Sequence, residues 1–135
     1  MSIGVVVLIE DHSGSVPKYL MLEQDRPEYG TGFHYAPPAG TLETNLDEEP
    51  EDTAVREVKE EIGLEISKDD LEELFETDAS YGVDRLIWFK IGFDAAEEDL
   101  VLNHESDGYS FLSKQEALEE NLLEDTMKAF EQLDN

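Results

Sequence analysis

The fold is decided by Gly40-Thr41-Leu42-Glu43-Thr44-Asn45-Leu46-Asp47-Glu48-Glu49-Pro50-Glu51-Asp52-Thr53-Ala54-Val55-Arg56-Glu57-Val58-Lys59-Glu60-Glu61-Ile62-Gly63-Leu64. Its second half predicts a helix. Pro50 suits a first turn, Glu51 and Asp52 suit the positive end, and Gly63 is a good stop after Ile62. On that helix Glu57, Glu60 and Glu61 stand at i, i+3 and i+4 and share a face. Val55, Val58 and Ile62 fall on another face and can pack on a core. Like charges at this spacing oppose the helix by about 0.2–0.5 kcal/mol per pair. A bridging cation removes that penalty. Carboxylate oxygens are hard ligands that suit Mg²⁺ or Mn²⁺, and these ions commonly hold substrate phosphates too.

The triplet alone discriminates little, because 35 of the 135 residues are Asp or Glu. A solvated acidic face is the plain alternative. Its surroundings decide: a glycine-bearing turn before the helix, one Arg beside the first Glu, and Gly63 closing the helix. Together they resemble the box of the Nudix hydrolases, which reads Gly, five residues, Glu, seven residues, Arg-Glu-aliphatic-x-Glu-Glu-x-Gly-aliphatic. Gly40 matches the first glycine, Glu48 the next Glu, and Arg56 to Leu64 fill the rest without substitution. One departure stands out: seven residues, not five, separate Gly40 from Glu48. The extra residues fall in Thr44-Asn45-Leu46-Asp47, a turn-like stretch where added loop length costs little.

A chain of this length forms one domain, residues 1–135, with room for a real core. No apolar run approaches the ~20 residues of a membrane span. Met1-Ser2-Ile3-Gly4 lacks the basic segment of a secretory signal, and with no cysteine there is no disulfide. The simplest expectation is a cytoplasmic protein. The net charge of −26 argues against duplex nucleic acid as partner, since phosphate contacts need Lys and Arg. It also repels any anionic substrate, which makes bound divalent ions more necessary. The composition resembles proteins of salt-rich cytoplasm, where counterions screen self-repulsion.

Along the chain, Ile3 to Glu10 predicts a buried strand and Lys18 to Glu23 a second. Gln24 to Gly32 reads as a polar loop. Pro37-Pro38 stiffen the approach to Gly40. Leu71 to Phe75 fits either helix or strand. Arg85 to Phe93 predicts a central strand and Tyr109 to Leu112 a short one. Ser113-Lys114-Gln115-Glu116 is a capping box opening a helix through Glu120, and Leu122 to Leu133 continues as a terminal helix. Strands interleaved with helices predict an α/β fold. The Nudix resemblance implies more: an α/β/α sandwich with a mixed sheet, the box forming a loop-helix-loop at one edge.

The resemblance also implies chemistry, the hydrolysis of a nucleoside diphosphate linked to another group. By it, Glu57, Glu60 and Glu61 are the metal set, and Glu57 or another carboxylate is the base. Arg56 serves the catalytic group by reaching Glu48 or bracing Glu57. Gly40, Glu48 and Gly63 are structural.

Further along, Asn103-His104-Glu105-Ser106-Asp107-Gly108-Tyr109 and His34-Tyr35-Ala36-Pro37-Pro38-Ala39-Gly40 look like the diadenosine tetraphosphate hydrolase branch. By that comparison Glu105 completes the metal site or acts as general base. Tyr109 and Tyr81 stack on a base, and His34 contacts phosphate. The implied substrate is a small nucleotide, with a dinucleoside polyphosphate favoured. Two departures leave a nucleoside triphosphate or a sugar nucleotide open: Ala39 stands where the branch has Lys, and Ser106 where it has a second His. A non-catalytic nucleotide sensor and a purely structural acidic domain are the rival readings.

Overall fold

The computed structural model describes residues 2–26, 32–43, 47–80, 82–93, 100–103 and 106–133, with the side chains of Arg26 and Phe33 excepted. The central strand, β1 (Ile3–Asp11), is apolar on both faces because both are covered. Val5, Val7 and Ile9 point to one side and Val6 and Leu8 to the other, as the period of two requires.

Along one edge β1 pairs in parallel with β6 (Arg85–Phe93), from Ile3↔Arg85 to Asp11↔Phe93. Along its other edge it meets β2 (Lys18–Arg26) only at Glu10↔Tyr19 and Asp11↔Lys18. The two strands then part. The gap is filled by β3 (Gly32–Ala36), which pairs with β2, and β4 (Ala39–Thr41), which pairs with β1. Between them the Val7 amide donates to the Pro38 carbonyl at 2.9 Å. The sheet is completed by β5 (Glu72–Asp78), antiparallel to β6, and β7 (Gly108–Ser113), on the far edge of β2.

One face carries α1 (Pro50–Ile62), whose Ala54, Val58 and Ile62 pack on Val5, Val7 and Leu22. The other carries α2 (Lys114–Leu118) and α3 (Glu124–Gln132), whose Ala117, Ala129 and Phe130 pack on Val6, Leu8 and Trp88. This is the expected α/β/α sandwich with a mixed sheet. Among the described residues no helix is long and apolar enough to cross a membrane.

The strands at Ile3 and Arg85, the helix at Pro50 and the capping box at Ser113 stand where the sequence puts them. Other expectations need correction. The second strand runs on to Arg26, absorbing the start of the expected polar loop, and β3 and β4 were not foreseen. Both are short, and their hydrogen bonds come from distant partners rather than from local propensity. The ambiguous stretch is strand from Glu72 onward. The helix after Ser113 ends at Leu118, and the last helix begins at Glu124 rather than Leu122. Leu122 instead forms an isolated bridge with Tyr35. On α1, Ala54 rather than Val55 joins Val58 and Ile62 in the core.

Candidate active site

Where β1 and β2 part, a cavity of about 440 Å³ opens. Gly4 of β1, Gln24 of β2, Ala39 and Gly40 of β4, and Glu57 and Glu61 of α1 all face it. The helix is placed sharply. At its start the Glu49 amide donates to Asp52 Oδ2 at 3.0 Å. At its end Gly63 adopts a left-handed φ of 71° and its amide closes on the Lys59 carbonyl, a conformation glycine takes without steric cost.

Glu61 is buried, 5% exposed, and its Oε2 accepts the Ala39 amide at 3.0 Å. The Glu57 carboxyl lies against Gly40, and any Cβ at Gly40 would overlap it. Glycine at that position is therefore a requirement of close approach. Arg56 Nη1 donates to Glu57 Oε1 at 2.7 Å. Its Nε and Nη2 grip Glu48 as a fork, at 2.8 and 3.0 Å, and Nη2 also donates to the Thr41 carbonyl. Arg56 thus contacts both Glu48 and Glu57.

Glu48 is the hub of the turn before the helix. Besides the fork it accepts the Glu43 amide at 3.0 Å and the Thr53 hydroxyl at 3.1 Å. The Arg56 guanidinium, opposed by desolvation and helped by those two donors, pulls its pKa from 4.5 down to about 2. The same partnership pushes Arg56 above its ordinary value.

Of the three helix carboxylates, Glu57 and Glu61 meet at the cavity. Glu60 does not line it; its side chain is 55% exposed and stands 3.6 Å from Arg56 Nη1. Among the described residues, no three His, Asp or Glu side chains group as a metal site. The resemblance in the sequence implies divalent ions, and the donor set offers a fit in part. Two hard carboxylates, one buried, share one wall a helical turn apart, where like charges repel and a dication offsets the repulsion.

Among the charged and amide side chains of the cavity, sequence reading missed Glu43 and Gln24. Nothing in the composition separates Glu43 from Asp47 or Glu49. Gln24 carried a signal: Leu20, Leu22 and Gln24 alternate inward once β2 continues past Glu23. Its Nε2 donates to the buried Ser106 hydroxyl at 3.4 Å.

Tyr81 and Glu105 lie outside the described residues. Asn103 and Ser106 are described: the Asn103 amide donates to the Glu61 carbonyl, and Ser106 accepts from Gln24. Tyr109 is 44% exposed on β7, edge-on to Phe111, and does not line the cavity. His34 is fully buried on β3 and is likewise absent from the cavity wall.

Apart from Arg56, the basic residues with described side chains are placed elsewhere. Lys18 pairs with Glu116, Lys59 with Glu65 and Lys68 with Asp52. Arg85 pairs with Asp78, Lys90 with Glu10 and Lys128 with Glu124, and Lys114 donates to the Leu133 carbonyl. None of these lines the cavity.

The NUDIX domain matches residues 1–133 of the chain. The chain belongs to this family, and so to the pyrophosphohydrolases that act on nucleoside-diphosphate-linked substrates. No curated protein matches it in sequence. Among solved structures it is similar to the NUDIX domain of Shewanella oneidensis NrtR in complex with ADP ribose, at TM-score 0.75 and 15% identity, covering 96% of this chain and 84% of that one. It is similar to the MutT protein of Methanosarcina mazei, at TM-score 0.72 and 22% identity, over 96% and 89%. The C. elegans Ap4A hydrolase binary complex is a third, at TM-score 0.70 and 17% identity, over 97% and 93%.

Proposed function

We propose that the cavity hydrolyses one anhydride bond of a small nucleotide substrate, with Glu57 and Glu61 as the principal donors to Mg²⁺ or Mn²⁺ and Glu60 as a third donor from the solvent side. The observation that carries this is the convergence of Glu57 and the buried Glu61 on one cavity wall, each held by a named donor. When bound, the dication supplies charge neutralisation on the phosphate oxygens. The protein's own groups supply the rest. Gly40 lets the Glu57 carboxyl come close, Arg56 fixes its direction, and the Ala39 amide holds Glu61. A water oxygen bonds to phosphorus, the bridging P–O bond breaks, and a carboxylate takes the proton of the water. Glu57 and Glu105 are the two candidates for that base. We assign base stacking to the exposed ring of Tyr109, with Tyr81 as a further candidate. Buried His34 is assigned to support of the β2–β3 ladder.

A substrate panel in ¹⁸O-labelled water, with products weighed by mass spectrometry, tests the reading. The expected result is one ¹⁸O in a phosphomonoester product. Nucleotide binding without any product would favour the sensor instead.

The charge of −26 further supports a working environment rich in salt. Unfolding midpoints should rise from low to molar KCl; a flat response would end that reading.

A further inference from the structure

We infer that Asp125 and Asp84 are positioning residues: each grips one end of the turn between β5 and β6, and together they fix the apolar end of the cavity, where an uncharged group of the substrate rests. The inference rests on the hydrolase reading and goes beyond it, to two acids that do not themselves line the cavity.

The cavity crosses the sheet where β1 and β2 part. Glu57 and Glu61 belong to α1, on one face. Leu86 packs with the cluster on the other face, and Leu123 immediately precedes α3 there. Val83 joins them. A Cβ added to Gly4 would lie 2.7 Å from Leu86 Cδ2 and 3.1 Å from Val83 Cγ2, so those two side chains close together over β1. The cavity thus has an acidic end and an apolar end.

Gly82 and Val83 reach the cavity from the turn that joins β5 to β6, of which residues 79, 80 and 82–84 are described. A turn with glycine at a φ of 74° does not hold one shape by propensity. Two carboxylates hold it. At one end Asp125 Oδ2 accepts the Ser80 amide and Oδ1 the Ser80 hydroxyl, both at 2.8 Å. At the other end Asp84 Oδ2 accepts the Ser2 amide at 2.8 Å and its hydroxyl at 3.2 Å. The Asp84 amide donates back to the Ser2 carbonyl at 3.0 Å. Hydrogen bonds to an ionised acceptor are strong, and two on one carboxylate set its orientation. Asp125 stands two residues past Leu123, and Ser80 three before Val83. One clamp therefore draws two distant stretches of chain into one wall. Helix α3 does not depend on it, since Ala129 and Phe130 already sit in the core and Phe130 meets Tyr19 edge-on. Ser80 is exposed, so these bonds add little to global stability. What they fix is the turn.

The test follows kcat, KM and calorimetric affinity for ADP-ribose, ATP and diadenosine tetraphosphate, with the unfolding midpoint and Mn²⁺ binding measured beside them. Asp125→Ala should raise KM about tenfold for whichever nucleotide is turned over, with kcat within about twofold. Mn²⁺ affinity and the midpoint should hold, because the acidic end and the core are untouched. Asp125→Asn should restore KM: its Oδ1 accepts the Ser80 amide and its Nδ2 donates to the Ser80 hydroxyl. Ser80→Ala should raise KM in the wild type and add nothing in Asp125→Ala, since the hydroxyl acts through that carboxylate. Asp84→Ala should act in the same direction from the other end. An unchanged KM in Asp125→Ala, or no recovery in Asp125→Asn, would overturn the positioning role and leave the hydrolase reading standing. If the wild type turns over none of the three, the hydrolase reading falls and the affinities carry the same comparison. A tenfold loss in Asp125→Ala would then support the clamp; wild-type affinity in that variant, or no nucleotide bound at all, would end it.

Discussion

Two ion pairs, one bridging α1 to the turn before it and one within α3, separate the faces of this sheet. At α1, Arg56 of the helix and Glu48 of the turn before it are held from several sides behind Glu57, which lines the cavity, and the Glu48 side chain is only 10% exposed. On α3, Lys128 and Glu124 form an i,i+4 pair with both side chains more than 60% exposed. The charges are alike, and the surroundings differ. Near the cavity Glu48, Glu57 and Glu61 are each fixed by at least one donor, and Arg56 ties the first to the second. On the outer helix the pair is screened and leads nowhere. A chain this acidic can spread charge everywhere and still make only a few of its acids act.

The largest expected effect separates acids within the helix itself. Glu57→Gln and Glu61→Gln should each cut turnover by about 100-fold or more while the unfolding midpoint holds. Glu60→Gln, on the exposed side, should lose much less. Equal losses in all three would erase the distinction between cavity and solvent faces. Gly40→Ala comes next. Its new Cβ takes the space of the Glu57 carboxyl, so turnover should fall about 10- to 100-fold through displacement alone. Circular dichroism should stay unchanged; normal kcat/KM would show that the close approach is unnecessary.

This ranking of Glu57, Glu60 and Glu61 was not legible in the sequence, although the helix was. Pro50 and Gly63 mark its ends by local chemistry, and local chemistry can be read. The same holds for Arg85 to Phe93, where an apolar run sufficed. Rotation of the helix on the sheet is a tertiary quantity. Glu60 lies about 100° from Glu61 around the axis, so a helix turned to bury Glu61 must turn Glu60 outward. Ala54 displaced Val55 from the core by the same rotation. Strands β3 and β4 were illegible for a related reason: five and three residues long, they are specified by partners on β2 and β1. Glu43 and Gln24 reach the cavity only through that pairing. The Arg56–Glu48 contact, in contrast, could be anticipated from an eight-residue spacing spanning a turn and two helical turns.

Stability should sharpen the comparison more gently. Arg56→Met leaves Glu48 with two neutral donors and no cation, and should cost about 2 kcal/mol in denaturant unfolding. The linked pH effect has a definite sign. Glu48 titrates at about 2 when folded against 4.5 unfolded, so the unfolded chain binds its proton first as pH falls. Its contribution is whole above pH 4.5 and drains away toward about pH 2. Measured as wild type minus Glu48→Gln, which removes the background of the other acids, the stability difference should shrink across that window. A difference independent of pH would mean that the charge of Glu48 contributes nothing.

The smallest effect is the control on the other face. Lys128→Ala breaks an i,i+4 pair whose members are both in water, where the Coulomb gain is screened and ordering two long side chains offsets what remains. Its unfolding midpoint should match wild type within error at moderate salt, as should turnover. A loss equal to that of Arg56→Met would mean that burial and extra hydrogen bonds do not distinguish the two pairs. The two helices would then differ only in what they point toward, and the rigidity attributed to the cavity rim would have to come from Gly40, Ala39 and the backbone of β4 alone.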